Sequence, residues 1–343
     1  MLLPDISLVL QARGKYSSDR RDGDRNTLRL SEGELSIQGY VYPNVKADAF
    51  IVAAPAEDEA AQFEEAYLTF LGLRKGLNLK LGRKFTPFGR TGQQHTHSWL
   101  YARQLLPFRN LVAEEALVGD GVNLSYALPT KGKLFANLDV GMWTGEGSEA
   151  VFNTTDPSDP FFGDVPMGSG AAYDKRFYTA RLWLGHPIGD NGELEVGGSY
   201  ARGRSHIGDD AGASFSGHTT LTGADISYRR FLSNNRRLLL RGEYFRHQPG
   251  SGLPTNRASG HYLLGNYRLN KANDVGVLLE RSGFPQAPGA RESATSLIFT
   301  RQFTEQFYAR LQATHGRRPG PGSYNEAWLQ FVWGLGPHTH SIE

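Results

Sequence analysis

Period-2 alternation of apolar and polar residues runs through this chain from residue 6 to residue 334, interrupted only by turn-forming clusters. In 6–16, Leu8, Leu10 and Ala12 share one face, while Ser7, Gln11, Arg13 and Lys15 share the other. In 77–84, Leu77, Leu79 and Leu81 stand opposite Asn78 and Lys80. Read the same way, the chain offers further strands at 28–42, 45–54, 62–71, 121–128, 134–143, 176–185 and 193–202. Others follow at 219–231, 237–245, 261–269, 275–281, 294–303, 307–314 and 324–334, about sixteen in all. A chain patterned like this is all-β.

The connections narrow the class. Short turns (43–44, 189–192, 233–235, 270–273) alternate with longer polar gaps, and that parity is the mark of a transmembrane antiparallel β-barrel. Short periplasmic turns then lie at one end and long external loops at the other. An even strand count puts both termini on the short-turn side. Propellers would show a repeat of about 40–50 residues, and the sequence has none. Sandwiches do not sort their connections by parity.

Composition agrees. Mean hydropathy is −0.44, and no run approaches the roughly 20 apolar residues of a membrane helix. Barrel strands average to polar because lipid-facing and lumen-facing residues alternate. There is no cysteine, which removes disulfides, thiolate metal sites and cysteine catalysis. A net charge of +2 gives no reason to expect nucleic acid as a partner. Aromatics cluster near the short turns (Tyr40, Tyr42, Phe231, Phe303) and near the long gaps (Tyr16, Trp143, Tyr178, Tyr200, Phe245, Tyr262), as two interfacial belts would. Met1-Leu2-Leu3-Pro4 is too short for a signal peptide, so the numbering is expected to begin near a mature end of an exported protein. The whole chain, 1–343, reads as one barrel domain.

Residues 85–119 form the longest gap between strands, far beyond an ordinary connection. The segment is rich in aromatic and charged residues rather than Gly/Ser filler. As the third external loop, it is expected to fold into the lumen and narrow it. Arg90, Arg103 and Arg109 are expected to face Glu114 and Glu115 across the constriction. Arg13, Lys15, Lys80, Lys84 and Arg310 are expected to add basic charge to the lumen wall, giving a modest anion preference.

With sixteen strands and a long third loop, the chain resembles bacterial outer-membrane porins. The run Leu79-Lys80-Leu81-Gly82-Arg83-Lys84-Phe85-Thr86-Pro87-Phe88-Gly89 is similar to a stretch of the phosphate-selective porins of the O and P type. That resemblance implies passive diffusion of small hydrophilic solutes or ions, outer-membrane lipid and lipopolysaccharide as surroundings, no cofactor, and a homo-trimer. Porins usually end on an aromatic residue, whereas here Phe331 and Trp333 are followed by ten more residues, GLGPHTHSIE.

Other sites carry less. His95 and His97 form an H-x-H pair, matched by His338 and His340, and imidazoles are good transition-metal ligands. The two pairs fall at opposite ends of the barrel, and no third ligand shows at a fixed spacing. They are therefore read as polar loop and tail histidines, with no metal. Glu57, Asp58 and Glu59 form a solvated acidic gap. His206 with Asp209, and His218 with Asp225, have no catalytic motif around them, and there is no G-x-S-x-G elbow, so no enzyme is expected. The alternative to a channel is a structural or docking barrel whose lumen is filled by its own loops or by a partner, and which scaffolds a periplasmic or surface partner.

Overall fold

The computed structural model describes residues 3–20, 22–55, 60–145, 171–208, 214–319 and 322–337. The first strands are β1 (Asp5–Ser17), β2 (Thr27–Tyr42), β3 (Val45–Ala53), β4 (Gln62–Arg74) and β5 (Leu77–Phe85). A short helix, α1 (Leu106–Leu111), lies within the following connection. Next come β6 (Val118–Ala127), β7 (Phe135–Thr144), β8 (Tyr173–Ile188), β9 (Gly192–Gly208) and β10 (Ser214–Phe231). The ring continues with β11 (Arg237–Pro249), β12 (Ala258–Asn270), β13 (Asn273–Phe284) and β14 (Ala287–Thr304). β15 (Phe307–Arg318) and β16 (Gly322–Leu335) complete it. Every strand pairs antiparallel with its chain neighbours, and β16 pairs with β1 from Leu335↔Leu8 to Glu326↔Ser17, closing the barrel. Closure leaves no strand edge unpaired, which a bilayer demands.

Alternation sets the two faces. Val275, Val277 and Leu279 of β13 point out and stay exposed, as do Leu263, Leu297 and Leu311 on nearby strands. Between them Leu278 and Glu280 point in and are buried. A ring of exposed aliphatics on a closed barrel is a lipid-facing surface, and exposed Tyr40, Tyr42, Phe231 and Phe303 flank it on the short-turn side.

Three expectations change. Trp143, Phe245 and Tyr262 do not join an interfacial belt. They sit on the inner face and are buried in an apolar cluster with the third loop. The gap left between the expected strands 275–281 and 294–303 is a hairpin instead, with β13 running to Phe284 and pairing with Ala287. Strands that project beyond the lipid need no apolar outer face, so their polar sequence reads as loop. The third is that connections are not uniformly long at the loop end.

Gly82 shows a local backbone requirement. It sits at φ +135°, and a Cβ there would collide with the Ala66 carbonyl of β4. The glycine in the Leu79–Gly89 run thus permits close strand approach.

Candidate functional site: the third loop and the lumen

The segment between β5 and β6 crosses the barrel. α1 packs mainly on β13, with further contact to β12 and β11. β13 lies eight strands from β5 on a sixteen-stranded ring, so the loop spans the full diameter. Leu105, Phe108 and Leu111 are wholly buried. They meet inward-facing Leu239, Phe245, Leu264, Leu278 and Ile298 of β11–β14 in one apolar cluster. Each such side chain contributes on the order of 1.5–3 kcal/mol of burial. The helix starts where Pro107, at its first turn, fixes φ without losing a needed N–H.

Wall carboxylates hold the loop. Arg103 forms a two-pronged pair with Glu280 of β13 (2.6 and 3.3 Å), and the Leu106 N–H donates to the same carboxylate at 2.7 Å. Arg109 pairs with Glu292 of β14 at 3.1 Å. Arg90 pairs with Glu195 of β9. Glu243 of β11 accepts from the Arg90 and Thr91 N–H groups, both at 2.9 Å, and from the Tyr262 hydroxyl at 2.7 Å. β15 completes the ring of anchors. Tyr308 donates to the His97 carbonyl at 2.6 Å, Arg310 donates to the Tyr101 carbonyl at 3.1 Å, and the Gln312 side chain accepts the Ala102 N–H at 2.8 Å.

The expected opposition of the loop arginines to Glu114 and Glu115 is therefore not what the geometry contains. All three arginines turn to wall glutamates. Glu114 is exposed, and Glu115 has one oxygen buried with no hydrogen-bond partner among the described residues. Burial raises the Glu115 carboxyl well above its ordinary pKa, helped by repulsion from Glu64 and Glu32. Glu195, Glu243, Glu280 and Glu292 escaped the sequence reading. For Glu280 the signal was there: a single acid at a lumen-facing position of an aliphatic run, VGVLLER.

The expected lumen bases also have partners. Lys15 pairs with Asp22 at 2.6 Å and lies 4.8 Å over the Trp328 ring. Lys84 reaches Glu65 at 3.2 Å. Lys80 sits 4.7 Å over Tyr67, and Arg13 lines a cavity of about 930 Å³ on the loop's external side. A second cavity, of about 520 Å³, opens at the short-turn end beside Phe135, Trp183 and Glu195. The two share no lining residue.

His95 and His97 are not solvated loop histidines. They are 2% and 3% exposed and stack with ring centroids 5.7 Å apart. Around them stand Glu32 and Glu34 of β2 and Glu64 and Glu65 of β4. The ladder slips between Phe50↔Glu65 and Ile51↔Phe63, and the resulting bulge at Glu64 lets both neighbouring glutamates reach His95. Burial alone would lower the His95 pKa, but Glu64, Glu34 and Glu65 raise it well above 6.5. His338, His340, Glu57, Asp58, Glu59 and Asp209 lie outside the described residues. Asp225 is held by Arg181 at 2.5 and 2.9 Å, and His206 faces Ser216 at 3.2 Å.

A closed sixteen-stranded antiparallel ring, an apolar outer face and an inward-folded third loop give this chain the build of a bacterial outer-membrane barrel. Solved structures of that kind superpose on it over nearly its whole length. The anion-selective porin of Comamonas acidovorans aligns with a TM-score of 0.65 at 12% identity, covering 97% of this chain and 99% of that one. A loop L8 deletion mutant of OmpT, an outer membrane protein of Vibrio cholerae, gives 0.63 at 12% identity, covering 97% and 99%. The outer membrane channel DcaP of Acinetobacter baumannii gives 0.60 at 11%, covering 97% of each chain. No family model matches the sequence. An uncharacterized protein of Aquifex aeolicus (strain VF5) is 28% identical over 276 residues, which is 73% of this chain and only 56% of that protein.

Proposed function

We propose that this chain is a narrow outer-membrane channel of porin type, passing small hydrophilic solutes by passive diffusion and performing no catalysis. The observation that carries this reading is the third loop, which crosses the whole lumen and is fixed to β9, β11, β13, β14 and β15. Arg90, Arg103, Arg109, Glu114 and Glu115 belong to the constriction, with the arginines acting through wall glutamates. The likeness to porins supports the channel class, and a homo-trimer is the assembly suggested by the trimer form of the Vibrio cholerae OmpT.

Selectivity is proposed to be weak. An anion preference of the phosphate-selective kind needs guanidiniums available to the permeating ion, whereas Arg90, Arg103 and Arg109 each face a carboxylate. Among charged residues lining the external cavity, nine are acidic (Asp19, Asp22, Asp24 and six glutamates) and six are basic. Rings of charge select by sign, and this one offers anions no advantage.

A filled docking barrel is the second reading, favoured by the burial of inward-facing Ser7, Gln11, Ser36, Gln38 and Asp48. Planar-bilayer recording separates the two. Small, discrete ohmic steps from the wild type support the channel. Silence from protein shown by circular dichroism to be folded β supports the filled barrel.

A further inference from the structure

The histidine–glutamate cluster between the third loop and strands β2 and β4 has a proton problem. The Nε2 atom of His95 lies 3.0 Å from Glu65, which is itself fixed by Lys84 at 3.2 Å and by the Phe85 N–H at 2.9 Å. Glu65 thus takes the Nε2 hydrogen. The Nδ1 atom then faces two carboxylate oxygens at once, Glu34 at 2.9 Å and Glu64 at 2.8 Å. A neutral ring turns its lone pair on both anions, and a protonated ring has one hydrogen for two acceptors. The same Glu34 oxygen lies 3.7 Å from Nδ1 of His97.

We propose that Glu32, Glu34, Glu64, His95 and His97 bind one first-row transition-metal dication, which rivets the third loop to the barrel wall. Two sets of donor atoms converge, Glu34–Glu64–His95 and Glu32–Glu34–His97, and within each set all atoms lie within 4.8 Å of one another. A metal with bonds of ~2.0–2.2 Å to nitrogen and oxygen holds its ligand atoms about 3–4 Å apart, so small adjustments suffice. Glu34 is common to both sets, so it is the carboxylate through which both histidines meet a single ion. Paired imidazoles with carboxylates favour zinc, iron, cobalt or nickel over magnesium and calcium. Glu65 holding the remote nitrogen of His95 is the outer-shell carboxylate that fixes a metal-binding histidine's tautomer.

A separate observation points the same way. Glu115 brings a fifth carboxylate toward Glu32 and Glu64, and its buried Oε1 has no hydrogen-bond partner among the described residues. A dication beside that oxygen joins Arg13 in opposing the mutual repulsion of Glu115, Glu32 and Glu64. Entry is provided by the external cavity of about 930 Å³, which Glu32, Glu64, Thr96 and Glu115 help to line.

The test uses the full-length folded barrel in detergent, stripped with a chelator and dialysed. Zinc and nickel are then titrated calorimetrically, with bound metal counted by mass spectrometry. The expected result is one zinc per chain, with affinity at least tenfold weaker in His97→Ala and about 10–100-fold weaker in Glu65→Gln. Folding of each variant is read by circular dichroism and by the heat-dependent gel mobility of barrels. Absence of stoichiometric zinc or nickel from the folded wild type would overturn the proposal, as would wild-type affinity in a folded His95→Ala/His97→Ala variant. Should those variants fail to fold, cobalt absorption of the wild type decides. Ligand-field bands of a nitrogen-bound ion are expected, and the spectrum of aqueous cobalt would refute the site. None of these readouts depends on ion conduction, so a non-conducting barrel leaves the metal proposal standing.

Discussion

Glu280 lies at the centre of the barrel wall with its side chain fully covered, and two loop groups satisfy it: the Arg103 guanidinium and the Leu106 N–H. A buried ion pair of this kind costs desolvation to assemble, but removing one partner strands the other charge. Arg103→Ala is therefore expected to weaken loop docking by about 3–5 kcal/mol while leaving the barrel closed. Hydrogen exchange checks this. Amides of Leu105–Val112 should lose protection while amides of β13 and β14 keep theirs, and unchanged loop protection would refute the assignment. Sequence reading picked out Arg103 but gave it the wrong partner. Residue type and loop position are visible in a string of letters, whereas Glu280 lies 177 residues away and meets Arg103 only through barrel closure.

The third loop behaves as a folded element rather than a strap. Gly92 packs against Phe108, and a Cβ at that position would lie 2.7 Å from the ring of this fully buried side chain. Gly92→Ala is expected to cost about 1–3 kcal/mol through overpacking and to shift α1 off the β11–β13 wall. Limited proteolysis within 86–117 reads this out: cleavage should be faster in the variant, and equal rates would contradict the packing. That this segment mattered was legible from its length and aromatic content. Its inward apolar half was not. Trp143, Phe245 and Tyr262 read as belt residues because an aromatic near a strand end suits a membrane interface and a filled lumen equally well. Only register decides which way each ring points. The histidine pair was likewise legible as H-x-H, but its glutamates arrive from β2 and β4, and a bulge beside Glu65 breaks the parity on which the sequence reading rests.

Across the whole molecule, strand number, order and most boundaries were readable because lipid imposes strict alternation on every strand. Leu263 tests that physics. It is 56% exposed and central in β12 on the outward face, so Leu263→Arg is expected to cost about 2–4 kcal/mol of folding free energy in a bilayer. Tyr40→Arg, near the short-turn end of β2, is expected to cost roughly 0–1 kcal/mol. Equal penalties in a folding titration would contradict the membrane placement of the belt. Where alternation ceased to be enforced, the sequence reading lost resolution, as in the β13–β14 hairpin beyond the lipid.

The central claim is that a loop tethered to wall carboxylates sets the width of this barrel. Single-channel conductance of the wild type beside a Glu243→Gln/Glu280→Gln variant tests it most directly. The variant weakens both anchors yet leaves the lipid-facing surface untouched. Small wild-type steps and a several-fold larger conductance in the folded variant are the predicted result. Equal conductance in the two proteins would contradict the claim that the third loop controls the pore.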